Sequence, residues 1–138
     1  MNPTIIFDMD GVIVRSEQSW AALEPAYLRS IISPEAANQI IGNTVGLSVS
    51  LVYEWAKTLG FTGSKASFYS GYNTLAETIY RTCPITDGMD ELLGDLAKHG
   101  VRIGLVSSSP MNTIQRVVDR LHNGSVFSFI ESVDDPRH

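Results

Sequence analysis

The sequence predicts an α/β chain, a parallel β-sheet core interrupted near its start by a block of helices. Three observations predict it. Ile5-Ile6-Phe7 is a short apolar run, bounded by Pro3 and Gly11, that leads into two carboxylates, Asp8 and Asp10. From about residue 16 to 82 the apolar positions recur at helical spacing. Val101–Val106 is then a second apolar run, and Ser107-Ser108-Ser109-Pro110 carries it into another helical pattern, the strand–turn–helix order of a parallel sheet.

Composition narrows the classes. A chain of 138 residues suits one modest domain or a fragment of one. With 43% hydrophobic and 18% charged residues it can bury a core, which excludes disorder by composition. A net charge of −5 and the lack of a basic run argue against a nucleic-acid partner. No stretch is long and apolar enough to cross a membrane. Met1-Asn2-Pro3-Thr4 has no basic segment and does not read as a signal peptide. The single cysteine, Cys83, allows no internal disulfide and reads as a small core residue beside Pro84. The expected compartment is the cytoplasm.

The first run reads as a buried strand with Asp8 at its end. Ligands gather outside the carboxyl ends of strands in open α/β sheets. Residues i and i+2 of a continuous strand share a face, so Asp8 and Asp10 would lie together. Two ionised carboxylates there repel unless something positive stands beside them. A hard divalent cation serves, and Mg²⁺ is commonly held by one or two carboxylates plus substrate phosphate. The plainer alternative is a turn, which Asp and Gly also favour.

Four helices follow. Trp20, Leu23, Tyr27 and Ile31 mark the first, which Pro25 is expected to kink or restart. Ser33-Pro34-Glu35 opens a short second helix that buries Ala37, Ile40 and Ile41 and stops at Gly42. Leu47, Leu51, Trp55 and Leu59 mark a third, ending at Gly60. Phe68, Tyr72, Leu75 and Ile79 mark a fourth, entered near Ser64 and ended before Pro84. The aromatic residues of this block read as core. Met89, Leu92, Leu93 and Leu96 then form a helix closed by Lys98, His99 and Gly100, with His99 a C-terminal helix residue and not a ligand. His122 and His138 have no metal-like partner at useful spacing.

After the second strand, Ser109 is expected to cap a helix whose first residue is Pro110 and whose buried face is Ile114, Val117, Val118 and Leu121. Hydroxyls and free backbone N–H groups converge at such a strand-to-helix turn, which suits an anion. Capping accounts for Ser109 but not for Ser107 at the strand tip. Val126–Ile130 reads as a third strand or its approach.

Phe7-Asp8-Met9-Asp10-Gly11-Val12-Ile13-Val14, followed by Ser16-Glu17, resembles the first motif of the haloacid dehalogenase-like hydrolase superfamily. That motif is a hydrophobic strand, then Asp-x-Asp-Gly-(Val/Thr)-(Leu/Ile), often closing in Asp-Ser-Glu; Arg15 stands where an acid is frequent. Leu105-Val106-Ser107-Ser108-Ser109 resembles the second motif, a hydrophobic strand ending in Ser or Thr. The resemblance implies a Rossmann-like parallel core over residues 1–15 and 84–138, with a helical cap over 16–83. It implies that Asp8 is a nucleophile forming an aspartyl-phosphate and that Asp10 is the general acid and then base. Asp8 and the Asp10 carbonyl would hold Mg²⁺, and Ser107 with the Ser108 N–H would bind the phosphoryl group. Gly42, Asn43 and Thr44 fall where such caps place a substrate-facing loop, although a helix-to-helix turn also uses Gly and Asn.

An acid at position 10 points to phosphate esters. Members that cleave carbon–halogen bonds lack it, and members that cleave carbon–phosphorus bonds replace it. The implied substrate is a small phosphorylated metabolite, and a sugar-phosphate mutase stays open. The family's third motif supplies a lysine and its fourth supplies metal-binding acids, yet no lysine follows Lys98. Asp134 and Asp135 are not read as those acids, because the fourth motif follows a later strand. The chain is therefore expected to be truncated before the third motif, leaving Ile5-Ile6-Phe7 as a bare sheet edge open to self-association. A non-catalytic binding or regulatory module that keeps the first half of the fold is the alternative to an enzyme.

Overall fold

One parallel three-stranded sheet, in the order β1-β2-β3, organises a computed structural model that describes residues 2–132. Asp134, Asp135 and His138 lie outside the described residues. β1 (Thr4–Phe7) leads to four helices, α1 (Glu17–Ile31), α2 (Pro34–Ile40), α3 (Val49–Thr58) and α4 (Lys65–Thr82). Then come α5 (Met89–Lys98), β2 (Arg102–Ser107), α6 (Met111–Asp119), a 3₁₀ turn (Gly124–Val126) and β3 (Phe127–Ser132). This is the α/β fold with a parallel core that the sequence predicts.

The chain divides into two compact units, one joining the chain up to Ser16 with the chain from Tyr80 onward, the other being Glu17–Ile79. In the sheet unit, β1 pairs with β2 so that Phe7 lies opposite Leu105, and β2 pairs with β3 so that Ser107 lies opposite Ser132. Ile103, Leu105, Met9, Ile13, Leu93, Ile114 and Val117 are fully buried around it. Gly104 lets the Phe129 ring pack directly against β2: a Cβ there would overlap the ring and force it to shift. Asp90 ties α5 to the segment before β3, accepting the backbone N–H of His122 (2.8 Å) and of Asn123 (2.9 Å). The His99 ring sits on the Asp95 carbonyl at the end of α5, 2.7 Å away.

The helical unit packs around aromatic rings. Phe68 and Tyr72 on α4 stack at 4.9 Å, and Tyr27 of α1 meets Tyr72 edge-on at 5.4 Å. Ser33, Ser48 and Ser64 accept the backbone N–H groups of Ala36, Leu51 and Ser67, so three helices start on serine caps. No helix of the described residues is long and apolar enough to cross a membrane.

Several sequence expectations are corrected. β1 is not buried: Ile5 is 37% and Ile6 59% exposed, because no strand pairs with its outer edge among the described residues. Of the kink or restart expected at Pro25, the restart does not occur: α1 continues through it. The buried face of α3 is Val52, Tyr53 and Ala56, whereas Leu51 is 56% exposed, because the side that meets the rest of the helical unit is one residue round from the Leu47-Leu51 stripe. Leu92 also faces out, and α5 buries Met89 and Leu93.

Candidate active site

The site begins where β1 stops. The strand ends at Phe7, so Asp8 and Asp10 stand in a turn and not on a continuous strand. Alternation nevertheless persists: Asp8 is exposed, Met9 fully buried and Asp10 half-buried. The buried Met9 side chain anchors the turn, and its carbonyl accepts the N–H groups of Ile13 (2.9 Å) and Val14 (3.1 Å). Gly11 has φ +77°, a conformation that side-chain-bearing residues rarely adopt, and its N–H donates to the Val14 carbonyl at 2.8 Å. The returning chain locks the loop from outside. Arg15 N–H donates to the Pro84 carbonyl at 2.8 Å, and Thr86 N–H donates to the Ile13 carbonyl at 2.9 Å.

Two carboxylates at one strand tip thus have different surroundings. Among the described residues Asp8 has one bond, from the Met9 N–H to Oδ1 at 2.7 Å, and its side chain is exposed. Asp10 accepts three hydroxyls: Ser16 (2.5 Å) and Tyr80 (2.6 Å) at Oδ1, and Ser109 (3.2 Å) at Oδ2. One carboxylate is exposed, and the other is held by its neighbours.

The second tip differs from expectation. α6 starts at Met111 with Pro110 in the cap position and no side-chain cap, so Ser109 does not cap it. Ser109 instead joins the strand ends: its hydroxyl bonds Asp10, its carbonyl accepts Ser132 Oγ at 2.6 Å, and its N–H donates to Ser107 Oγ at 3.1 Å. Ser107 is 3% exposed, and Ser108 is exposed. The structure therefore brings Asp10 together with Ser109, and Ser109 with Ser107. Gly42, Asn43 and Thr44 belong to the helical unit, and their bonds are internal to it. Asn43 N–H donates to the Ile40 carbonyl (2.9 Å), and Thr44 Oγ1 donates to Glu24 Oε1 (2.6 Å).

Sequence reasoning missed Tyr80, Arg120 and the site role of Ser109. Ser16 stood inside the quoted motif without an assigned part. Tyr80 is seventy residues from Asp10 and carried no signal of its own. Arg120 donates to the carbonyls of Tyr80 (3.0 Å) and Cys83 (2.7 Å). Cys83 is buried, and burial pushes its thiol up against the opposing pull of Arg120, so it behaves as the core residue expected.

As a metal site, the described residues offer no group of three or more His, Cys, Asp or Glu side chains. The hard oxygens of Asp8 and Asp10 fit a cation such as Mg²⁺, which binds one or two carboxylates and completes its shell with phosphate and water.

Residues 5–138 match the family model of the haloacid dehalogenase-like hydrolases. Hexitol phosphatase B of Escherichia coli K12 is 24% identical over 132 residues, covering 94% of this chain and 60% of that protein. A phosphoglycolate phosphatase of Photorhabdus laumondii is 28% identical over 137 residues, covering 95% of this chain and 58% of that protein. The chain thus spans less than two thirds of the length of these curated relatives. Among solved structures, a Thermotoga maritima protein described as a beta-phosphoglucomutase superposes with TM-score 0.69 at 18% identity, covering 100% of this chain and 64% of that one. A hydrolase of this family from Bacillus subtilis, solved bound to magnesium, gives 0.66 at 15%, covering 97% and 66%.

Proposed function

The chain belongs to the haloacid dehalogenase-like hydrolase family, and from that premise we propose that it is the N-terminal part of a Mg²⁺-dependent phosphatase of a small phosphorylated metabolite. The observation that carries this reading is the contrast at the β1 tip, an open Asp8 beside an Asp10 held by three hydroxyls. Phosphatase names on both curated relatives support the reaction class, and the magnesium-bound neighbour supports the metal.

Asp8 attacks phosphorus and forms an aspartyl-phosphate as the bond to the leaving oxygen breaks. Asp10 gives its proton to that leaving oxygen, then takes one from the water that hydrolyses the intermediate. Asp8 and the Asp10 carbonyl would hold Mg²⁺, which neutralises phosphate charge so that a carboxylate can approach. Ser107 and the Ser108 N–H bind phosphoryl oxygens at the end of β2. The helical unit, Glu17–Ile79, serves as the cap that excludes water and selects the substrate, with Gly42, Asn43 and Thr44 in its substrate loop.

The test is hydrolysis of a generic phosphate ester, with and without Mg²⁺, by the protein encoded by the complete reading frame. Asp8→Asn is expected to abolish Mg²⁺-dependent turnover. Turnover unchanged by that substitution overturns the assignment of Asp8.

A further inference from the structure

α4 begins in the helical unit, but its last turn, from Tyr80, belongs to the sheet unit. Tyr80 is 3% exposed, and its hydroxyl lies 2.6 Å from Asp10 Oδ1. Arg120 fixes the backbone of this turn. Its guanidinium donates to the Tyr80 carbonyl at 3.0 Å and the Cys83 carbonyl at 2.7 Å. Those carbonyls end a helix, where unsatisfied acceptors and the negative pole of the dipole favour a cation.

The bonds on Asp10 are unequal. Oδ1 receives two short ones, from Ser16 and Tyr80; Oδ2 receives one at 3.2 Å, from Ser109. A carboxylate held this way cannot exchange its oxygens without breaking both short bonds. The less engaged oxygen, Oδ2, is the one free to meet another partner.

We propose that Tyr80 is a positioning residue for Asp10: with Ser16 it fixes Oδ1 and so commits Oδ2 to the proton exchange with the leaving oxygen and then with water, and Arg120 holds Tyr80 in place. This rests on the phosphatase reading above. Tyr80 touches no reacting atom. It sets the direction of the one that does, and directional errors in such groups cost rate. A buried tyrosine that merely satisfies its hydroxyl would give the same static bond, so the test must separate positioning from packing.

Leaving groups do so. An alkyl phosphate needs a proton on its leaving oxygen, and p-nitrophenyl phosphate, with a stable phenolate, hardly does. In the protein encoded by the complete reading frame, Tyr80→Phe is expected to lower kcat/KM for an alkyl phosphate by about 10- to 100-fold. The loss for p-nitrophenyl phosphate should be at least several-fold smaller. Arg120→Met should show the same selective loss with Tyr80 intact. Equal losses for the two substrates, or none, overturn the proposal. A wild-type protein without phosphatase activity removes the underlying reading, and positioning is then judged by the ¹³C shift of the Asp10 carboxyl at fixed pH. A shift displaced by Tyr80→Phe and by Arg120→Met sustains the restraint on Asp10, and an unmoved shift overturns it.

Discussion

Glu24 sits on α1 at 6% exposure, and its carboxylate accepts two hydroxyls. Thr44 Oγ1 lies 2.6 Å from Oε1, and Tyr72 OH lies 2.8 Å from Oε2. Three segments of the helical unit, α1, the loop after α2, and α4, therefore meet on one acid. Burial raises the Tyr72 phenol far above its usual range, and the Glu24 charge adds to that, so the hydroxyl stays protonated and donating at any working pH. Tyr72→Phe removes this donor and leaves the ring stacked on Phe68. A hydrogen bond to a charged group contributes about 1.5–3 kcal/mol, so the variant should lose about 2 kcal/mol, less whatever is regained by no longer burying a hydroxyl. Trp20 and Trp55, the chain's two tryptophans, both belong to the helical unit, so fluorescence in urea reads this unit selectively. With a urea slope of about 1–2 kcal/mol/M, a loss of about 2 kcal/mol moves the midpoint by about 1–2 M. The decisive comparison is the cycle with Glu24→Gln. Tyr72→Phe should cost clearly less in that background, because the charged acceptor is already gone. An equal cost in both backgrounds refutes the account of Glu24 as the shared anchor.

Two further outcomes are expected. Burial alone would raise the Asp90 carboxyl, but the Asn123 and His122 N–H groups outweigh it and hold Asp90 below the usual carboxylate range. Its contribution to stability is therefore present above that range and lost as pH falls through the lowered value. Asp90→Asn should lower Tm at about pH 7, the gap should narrow as pH falls below the usual carboxylate range, and a gap that widens in acid would refute the sign. The β1 edge, which no strand covers among the described residues, is expected in this 138-residue chain to pair with the same edge of a second copy. Sedimentation should show mass rising with concentration, and Ile6→Lys should abolish the rise. A wild-type chain that stays monomeric throughout would remove that expectation.

The reach of the sequence differs from element to element. Helix starts were legible because a serine cap acts over three residues: Ser33 and Ser64 were read from local chemistry alone. Helix faces were less so. Leu51 and Leu92 fit a helical repeat, yet both face outward, because periodicity fixes the angle between residues but not which side meets a neighbour. The reversal at Ser109 has a similar cause. Capping was the local explanation for Ser109, and only the proximity of Asp10 and Ser132 gave its hydroxyl and carbonyl other partners.

By itself the sequence determined the parallel α/β core, the helical block between its first two strands, and the two strand tips where Asp8, Asp10 and Ser107 stand. Each of these follows from apolar runs, turn residues and spacing within about ten residues of chain. Only the tertiary structure decided how Asp10 is held. Its donors come from positions 16, 80 and 109, and no local rule links them. Hydrogen bonds extend over about three ångströms whatever the separation along the chain. Folding is what brings those hydroxyls to one carboxylate.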